Sequence, residues 1–188
     1  ADRMTGIIRD LLALSRLEET DEIGRGAPID VTAITAMLKK DVLARASHPK
    51  DVRVRADAEV QLVGDEAEIH SALSNLVDNA AKYTPPEGAI EMRWWADADG
   101  GHFSVTDTGI GIPAEHLPRL TERFYRVDAG RSRATGGSGL GLAIVKHVLQ
   151  RHGGELSIES TLGAGSTFTA HFPPHRVARV RAQSSAAV

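Results

Sequence analysis

The chain has 188 residues, a formal charge of −3, 41% apolar residues and only 4% aromatic residues. That length fits one domain of roughly 100–200 residues with short appendages, and so small a charge gives no global electrostatic case for nucleic acid. The few aromatics exclude a base-stacking surface as the main theme, the lack of cysteine excludes disulfides and thiolate metal sites, and no apolar run approaches the ~20 residues of a membrane helix.

Residues 1–18 read as an amphipathic helix, with Met4, Ile7, Ile8, Leu11, Leu12 and Leu14 at three- and four-residue spacing. Such a stripe fits a helix packed on its own domain or half of a helical hairpin that wants another helix. The chain opens on Ala1 inside this pattern, as expected of a piece of a longer protein. Residues 19–28 form a connector rich in acids and Gly. Asp30 can cap a helix over about 31–47, which His48-Pro49 ends.

Val52–Arg55 and Val60–Val63 read as strands. Asp65 with Glu68 makes a capping-box start for a helix to about Tyr83, and Thr84-Pro85-Pro86-Glu87-Gly88 breaks it. Strands follow near Ala89–Trp95 and His102–Thr106. A long irregular stretch from Gly109 to Gly139 holds one short helix near Glu115–Glu122, and loops of that length are usually functional. A helix from about Leu140 to His152 closes on Gly153-Gly154. Strands near Glu155–Ser160 and Ser166–Phe172 finish the domain, and residues 174–188 read as a disordered basic tail. Helices segregated from consecutive strands give an α+β, two-layer sandwich.

In the helix at 66–83, Ile69, Leu73, Leu76, Val77 and Ala80 form the buried face. At ~100° per residue, Asn75, Asn79 and Lys82 fall on an adjoining stripe. Carboxamide oxygens can bind a hard cation such as Mg²⁺ and an ammonium can hold phosphate oxygens, although alone the three also fit a solvated helix face. Asp107-Thr108-Gly109-Ile110-Gly111 ends a strand; its carboxylate can accept from an exocyclic amine, and its glycines permit close backbone approach. The triplet Asp-Thr-Gly also occurs in aspartic proteases, but it stands here once and in a helix-rich chain.

Gly136 to Lys146 is a Gly-rich loop opening a helix, a place where backbone N–H groups can face phosphate. It lacks the Gly-Lys-Ser/Thr ending of a P-loop, and Leu142 stands where the dinucleotide fingerprint needs its third Gly. Gly163–Phe168 alone would be a hairpin turn. The order and spacing of all these segments carry more than any of them singly.

Taken together, they resemble the ATP-binding domain of sensor histidine kinases, in the superfamily that includes gyrase, Hsp90 and MutL ATPases. Asn75–Thr84 resembles the N box, Asp107–Gly111 the G1 box, Gly137–Leu142 the G2 box and Gly163–Phe168 the last glycine box. Leu120–Asp128 resembles the F box of the ATP lid, with Thr121 at a usual Phe position. The wording there and at Arg131–Gly137 further resembles phosphate-regulon sensor kinases. The likeness spans about residues 28–173.

The resemblance implies a Bergerat fold, with a mixed, largely antiparallel sheet, preceded here by one amphipathic helix, and ATP held between helices and a mobile lid. It implies that Asn79, with Asn75 nearby, coordinates Mg²⁺; that Lys82 and Arg126 contact phosphate; and that Tyr83 lines the pocket. Asp107 would bind adenine N6 beside Gly109 and Gly111, Tyr125 would flank the base, and Gly137, Gly139, Leu140 and Gly141 would supply the phosphate-facing loop. Arg131 and Arg133 are candidate lid cations.

Hydrolysing members of the superfamily carry a Glu where Asn75 stands, and a carboxamide cannot act as a general base. None of the eight histidines lies in an acceptor box of the form His-Glu/Asp-x-Lys/Arg-x-Pro. The resemblance therefore implies a two-component sensor kinase fragment, with residues 1–19 as the second helix of a dimerisation hairpin, a linker over 20–28 and a catalytic domain over 29–173. Its phosphoacceptor histidine would lie upstream. The implied partners are ATP, a response-regulator receiver domain and a second copy through the hairpin, with no nucleic acid or membrane contact by this fragment. The implied place is the cytoplasmic side of an inner-membrane-anchored bacterial sensor. A stand-alone regulatory module or an anti-sigma-type serine kinase is the alternative, and a clamp ATPase is disfavoured by Asn75.

Overall fold

The computed structural model describes residues 2–18, 26–127 and 137–180. Helix α1 (Asp2–Glu18) precedes a short strand β1 (Ala27–Ile29), which the sequence had placed largely in a connector. Helix α2 (Val31–Leu43) is capped as expected, the Asp30 carboxylate accepting the Ala33 N–H at 2.9 Å. It stops at Ala44, well before His48-Pro49.

Strands β2 (Asp51–Ala56) and β3 (Val60–Gly64) lead to helix α3 (Glu66–Tyr83), whose first turn is closed by Asp65 accepting from Glu68 N–H at 3.0 Å. Then come β4 (Ala89–Asp97), β5 (Gly100–Asp107), a 3₁₀ turn (Ala114–Arg119), helix α4 (Gly141–Arg151), β6 (Glu155–Thr161) and β7 (Gly165–Phe172).

The strands form two sheets rather than one. The larger runs β2-β4-β5-β7-β6, with β2 and β4 parallel and every other pair antiparallel. The smaller joins β1, β3 and β8 (Val177–Arg179), all antiparallel. Strand β8 corrects the expectation of disorder from residue 174: Val177, Ala178 and Arg179 pair with Leu62, Gln61 and Val60. A strand edge left by β3 supplies order that composition alone does not show. The Trp94 indole donates to Val60 O at 3.0 Å and ties the two sheets together.

Alternation along the strands sorts the larger sheet's faces. Met92, Trp94, Phe103, Val105, Phe168 and Ala170 join Ile69, Leu73, Leu76 and Val77 of α3 and Ile144, Val148 and Leu149 of α4 in one buried cluster. The opposite face is polar, as with Thr106 against Thr167 at 3.1 Å. The result is the expected two-layer α+β sandwich.

Helix α1 packs on its own domain through one end of its stripe. Leu14 and Leu17 are buried in the common core, whereas Met4, Ile8, Leu11 and Leu12 remain exposed.

Candidate functional site

A cavity of about 1080 Å³ opens between α3, the end of β5, the segment 120–127 and the glycine loop. Asn75, Asn79, Lys82, Tyr83, Asp107, Gly111, Tyr125, Arg126, Gly137, Gly139 and Gly141 all line it. Helical spacing delivers the α3 residues, because the same helix buries Ile69, Leu73, Leu76 and Ala80 and so turns the adjoining stripe toward the opening.

The Asn75 carboxamide is held by its nitrogen, which donates to Ser71 O at 2.8 Å. Its oxygen therefore faces the glycine loop, where a Cβ on Gly141 would stand only 2.5 Å from Oδ1. A Cβ on Gly137 would collide with the Lys82 ammonium. The spacing of these glycines thus follows from what lies opposite: any side chain there would take the room of an α3 site residue. Lys82 also lies over the Tyr83 ring, 5.1 Å from its centroid.

Asp107 is buried at the end of β5. Burial raises its carboxyl above the usual range, opposed by the backbone N–H groups of Gly109 and Ser166. The Gly109 N–H reaches Oδ1 at 2.8 Å. Gly109 is buried behind the carboxylate rather than lining the cavity, and Leu140 is fully buried, its N–H donating to Ser138 Oγ at 3.1 Å. These two expected site residues support the site without facing it.

The segment after the 3₁₀ turn is fastened at three successive residues. Phe124, at φ 62, donates its N–H to Gly139 O at 2.9 Å. The Tyr125 hydroxyl meets His116 Nδ1 at 2.6 Å, and Arg126 donates to Gly137 O at 2.6 Å. Arg131 and Arg133 lie outside the described residues.

Sequence reasoning missed several lining residues. Gly6, Ile7 and Asp10 come from α1 and Arg45 and Ser47 follow α2, whereas Ser166 and Phe168 of β7 fall in the segment that resembles the last glycine box. Arg45 pairs with Asp78, which sits on α3 between Asn75 and Asn79. No spacing rule links positions 33 residues apart.

Among the described residues, no cluster of His, Asp or Glu could hold a metal ion, and no helix is long and apolar enough to cross a membrane. The sequence profile of the family described as histidine kinase-, DNA gyrase B-, and HSP90-like ATPase matches residues 64–176. The chain belongs to this family, as an ATP-binding domain of the kind found in sensor histidine kinases.

Among named relatives, it is 57% identical over 180 residues to the phosphate regulon sensor protein PhoR of Pseudomonas aeruginosa, covering 95% of this chain and 40% of that protein. It is 38% identical over 174 residues to the sensor-like histidine kinase SenX3 of Mycobacterium tuberculosis, covering 92% and 42%. The mycobacterial sensor histidine kinase MprB superposes with a TM-score of 0.68 at 32% identity, over 79% of this chain and 97% of that one. Full-length ShkA in complex with AMPPNP superposes at 0.78 and 25% identity, over 96% and 37%. The chain spans about two fifths of the length of the curated relatives it matches.

Proposed function

We propose that the chain is the catalytic part of a two-component sensor kinase of the phosphate-regulon type. It binds Mg·ATP and delivers the γ-phosphoryl to a histidine outside these residues, from which an aspartate of a response-regulator receiver domain takes it. One observation carries this reading: two carboxamides and an ammonium of α3, a buried carboxylate and a glycine-rich helix start converge on one cavity.

Each group has a task that its surroundings support. The Asp107 carboxylate accepts from the adenine amine, with Gly109 and Ser166 holding it from behind. Lys82 and Arg126 neutralise phosphate charge, and Tyr83 and Tyr125 flank the nucleotide. Gly137, Gly139 and Gly141 let the loop backbone approach the phosphates.

The carboxamides fit magnesium. Asn75 turns its oxygen away from Ser71 and Asn79 lines the cavity, so both carboxamides could add to the shell of an ion held mainly by nucleotide phosphates. When bound, the ion neutralises developing charge on the phosphate oxygens.

Phosphoryl transfer needs chiefly positioning and charge compensation, so the nucleophile can come from elsewhere. None of the eight histidines, all of them described, lines the cavity. The exposed Met4, Ile8, Leu11 and Leu12 of α1 support a partner helix there, and with it dimerisation through a hairpin in the parent protein. Asn75, tethered to Ser71 O, cannot deprotonate water, which disfavours a hydrolytic clamp.

Calorimetric titration with Mg·ATP tests the site. Asn79→Ala and Asp107→Asn should each weaken binding about tenfold or more, in line with the loss of charge-assisted contacts; unchanged binding by both would refute the assignment. Mixing the chain with a separate hairpin carrying the acceptor histidine should label that histidine. Label on serine instead would favour a serine kinase.

A further inference from the structure

His116 stands outside the cavity's lining and outside every motif read from the sequence, yet it touches a residue that lines the cavity. Its Nδ1 lies 2.6 Å from the Tyr125 hydroxyl, and the Arg119 guanidinium covers the Tyr125 ring at 4.2 Å. Arg119 is itself held by Glu122 at 3.1 Å. His116 and Arg119 share the 3₁₀ turn Ala114–Arg119.

The stretch leading into that turn is fastened to the body of the domain. Ile112 N–H donates to Ser160 Oγ at 2.8 Å, and Gly163 N–H donates to Ile110 O at 2.8 Å. The residue after Tyr125 is Arg126, whose guanidinium reaches across to Gly137 O. A backbone shift at Tyr125 is passed to Arg126, since one planar peptide joins them.

We propose that His116 is a positioning residue for the nucleotide site: by holding the Tyr125 hydroxyl it sets where the Tyr125 ring and the Arg126 guanidinium stand over the cavity. The proposal rests on the reading of that cavity as the Mg·ATP site. Tyr125 is half-buried, and a tyrosine hydroxyl removed from water normally finds a partner; a merely structural pairing would contribute to stability alone. A pairing that positions Arg126 must also register in nucleotide affinity.

The chain's two tyrosines, Tyr83 and Tyr125, make the test direct. Fluorotyrosine labelling gives two fluorine resonances, and Tyr125→Phe identifies the second. His116→Leu should move the Tyr125 resonance and weaken Mg·ATP binding about 2- to 10-fold, the worth of one hydrogen bond. His116→Asn, which can offer a polar atom near the place of Nδ1, should recover most of both effects. Tyr125→Phe removes one oxygen atom and should match His116→Leu in binding, the double variant being no weaker than either alone; it also serves if His116→Leu fails to fold.

A shifted resonance with unchanged affinity in His116→Leu, or losses that add in the double variant, overturns the proposal while leaving the site intact. Arg126→Ala separates the two levels: if it binds Mg·ATP like the unaltered chain, the phosphate assignment of Arg126 fails and this proposal fails with it.

Discussion

The Ser138 hydroxyl donates to the Asp10 carboxylate at 2.7 Å, joining the glycine loop to a helix 128 residues away in sequence. The contact belongs to a set that holds α1 against the domain. Glu18 pairs with Arg123 and lies 3.8 Å from His147, and Arg151 donates to Leu17 O at 3.4 Å. Leu14 and Leu17 supply the apolar part. The arrangement puts a negative charge on the wall of a cavity assigned to a triphosphate.

Asp10→Asn should therefore tighten Mg·ATP binding by about two- to fivefold at low salt, because the carboxylate and the phosphates repel through partly screened solvent. Titrations at two ionic strengths check it: the gain should shrink as salt rises. Weaker binding in the variant would instead make Asp10 part of the binding machinery.

Asp107→Asn should trade binding for stability. Burial penalises the ionised carboxylate, so its folded pKa is raised. A raised carboxyl means the folded chain prefers the protonated form, and the penalty is present above the folded pKa and relieved as pH falls through it. Removing the charge should raise the neutral-pH melting temperature while nucleotide affinity drops. A variant that loses both would show that Asp107 organises the Gly109 turn more than it serves the base.

Gly141→Ala should separate folding from function. The substitution favours helix at the first residue of α4 by up to about 1 kcal/mol, yet its methyl carbon would stand 2.5 Å from Asn75 Oδ1. The carboxamide must turn away, so magnesium-dependent nucleotide affinity should fall about tenfold, as for the loss of one charge-assisted contact, with the melting temperature kept. Titrations with and without magnesium distinguish a displaced Asn75 from a general loss.

Acid should destabilise the domain through His152. The ring is fully buried, its Nδ1 lying 2.7 Å from Val148 O and its Nε2 accepting the Asp65 N–H at 3.2 Å. Burial lowers its pKa below the ordinary 6.5, so the unfolded chain binds the proton more readily. Stability is then present above about pH 6.5 and lost as pH falls through that value toward the folded pKa. His147 and His171, also lowered chiefly by burial, act with the same sign. Urea midpoints measured from about pH 7.5 to 5 should fall, and His152→Gln should flatten the slope; a midpoint insensitive to pH would contradict this assignment.

Much of the chain was legible because its signals are local. Asp30 and Asp65 cap the helices they precede, and the period of Ile69, Leu73, Leu76 and Ala80 sets which side of α3 meets the sheet. That period also places Asn75, Asn79 and Lys82 together beside the buried face. Strands β1 and β8 were not legible, since each depends on a partner elsewhere: Gly64, Val63 and Leu62 for β1, and Val60, Gln61 and Leu62 for β8.

The sequence by itself determined the catalogue of chemical groups, the order of the boxes and the sandwich that carries them, because capping, periodicity and glycine spacing act within a few residues. Tertiary structure alone decided which distant groups meet in or beside the cavity: Asp10 against Ser138, Arg45 against Asp78, His116 against Tyr125. Those pairings arise when burial of one face brings remote segments together, and no local preference encodes the side chain that will then lie opposite.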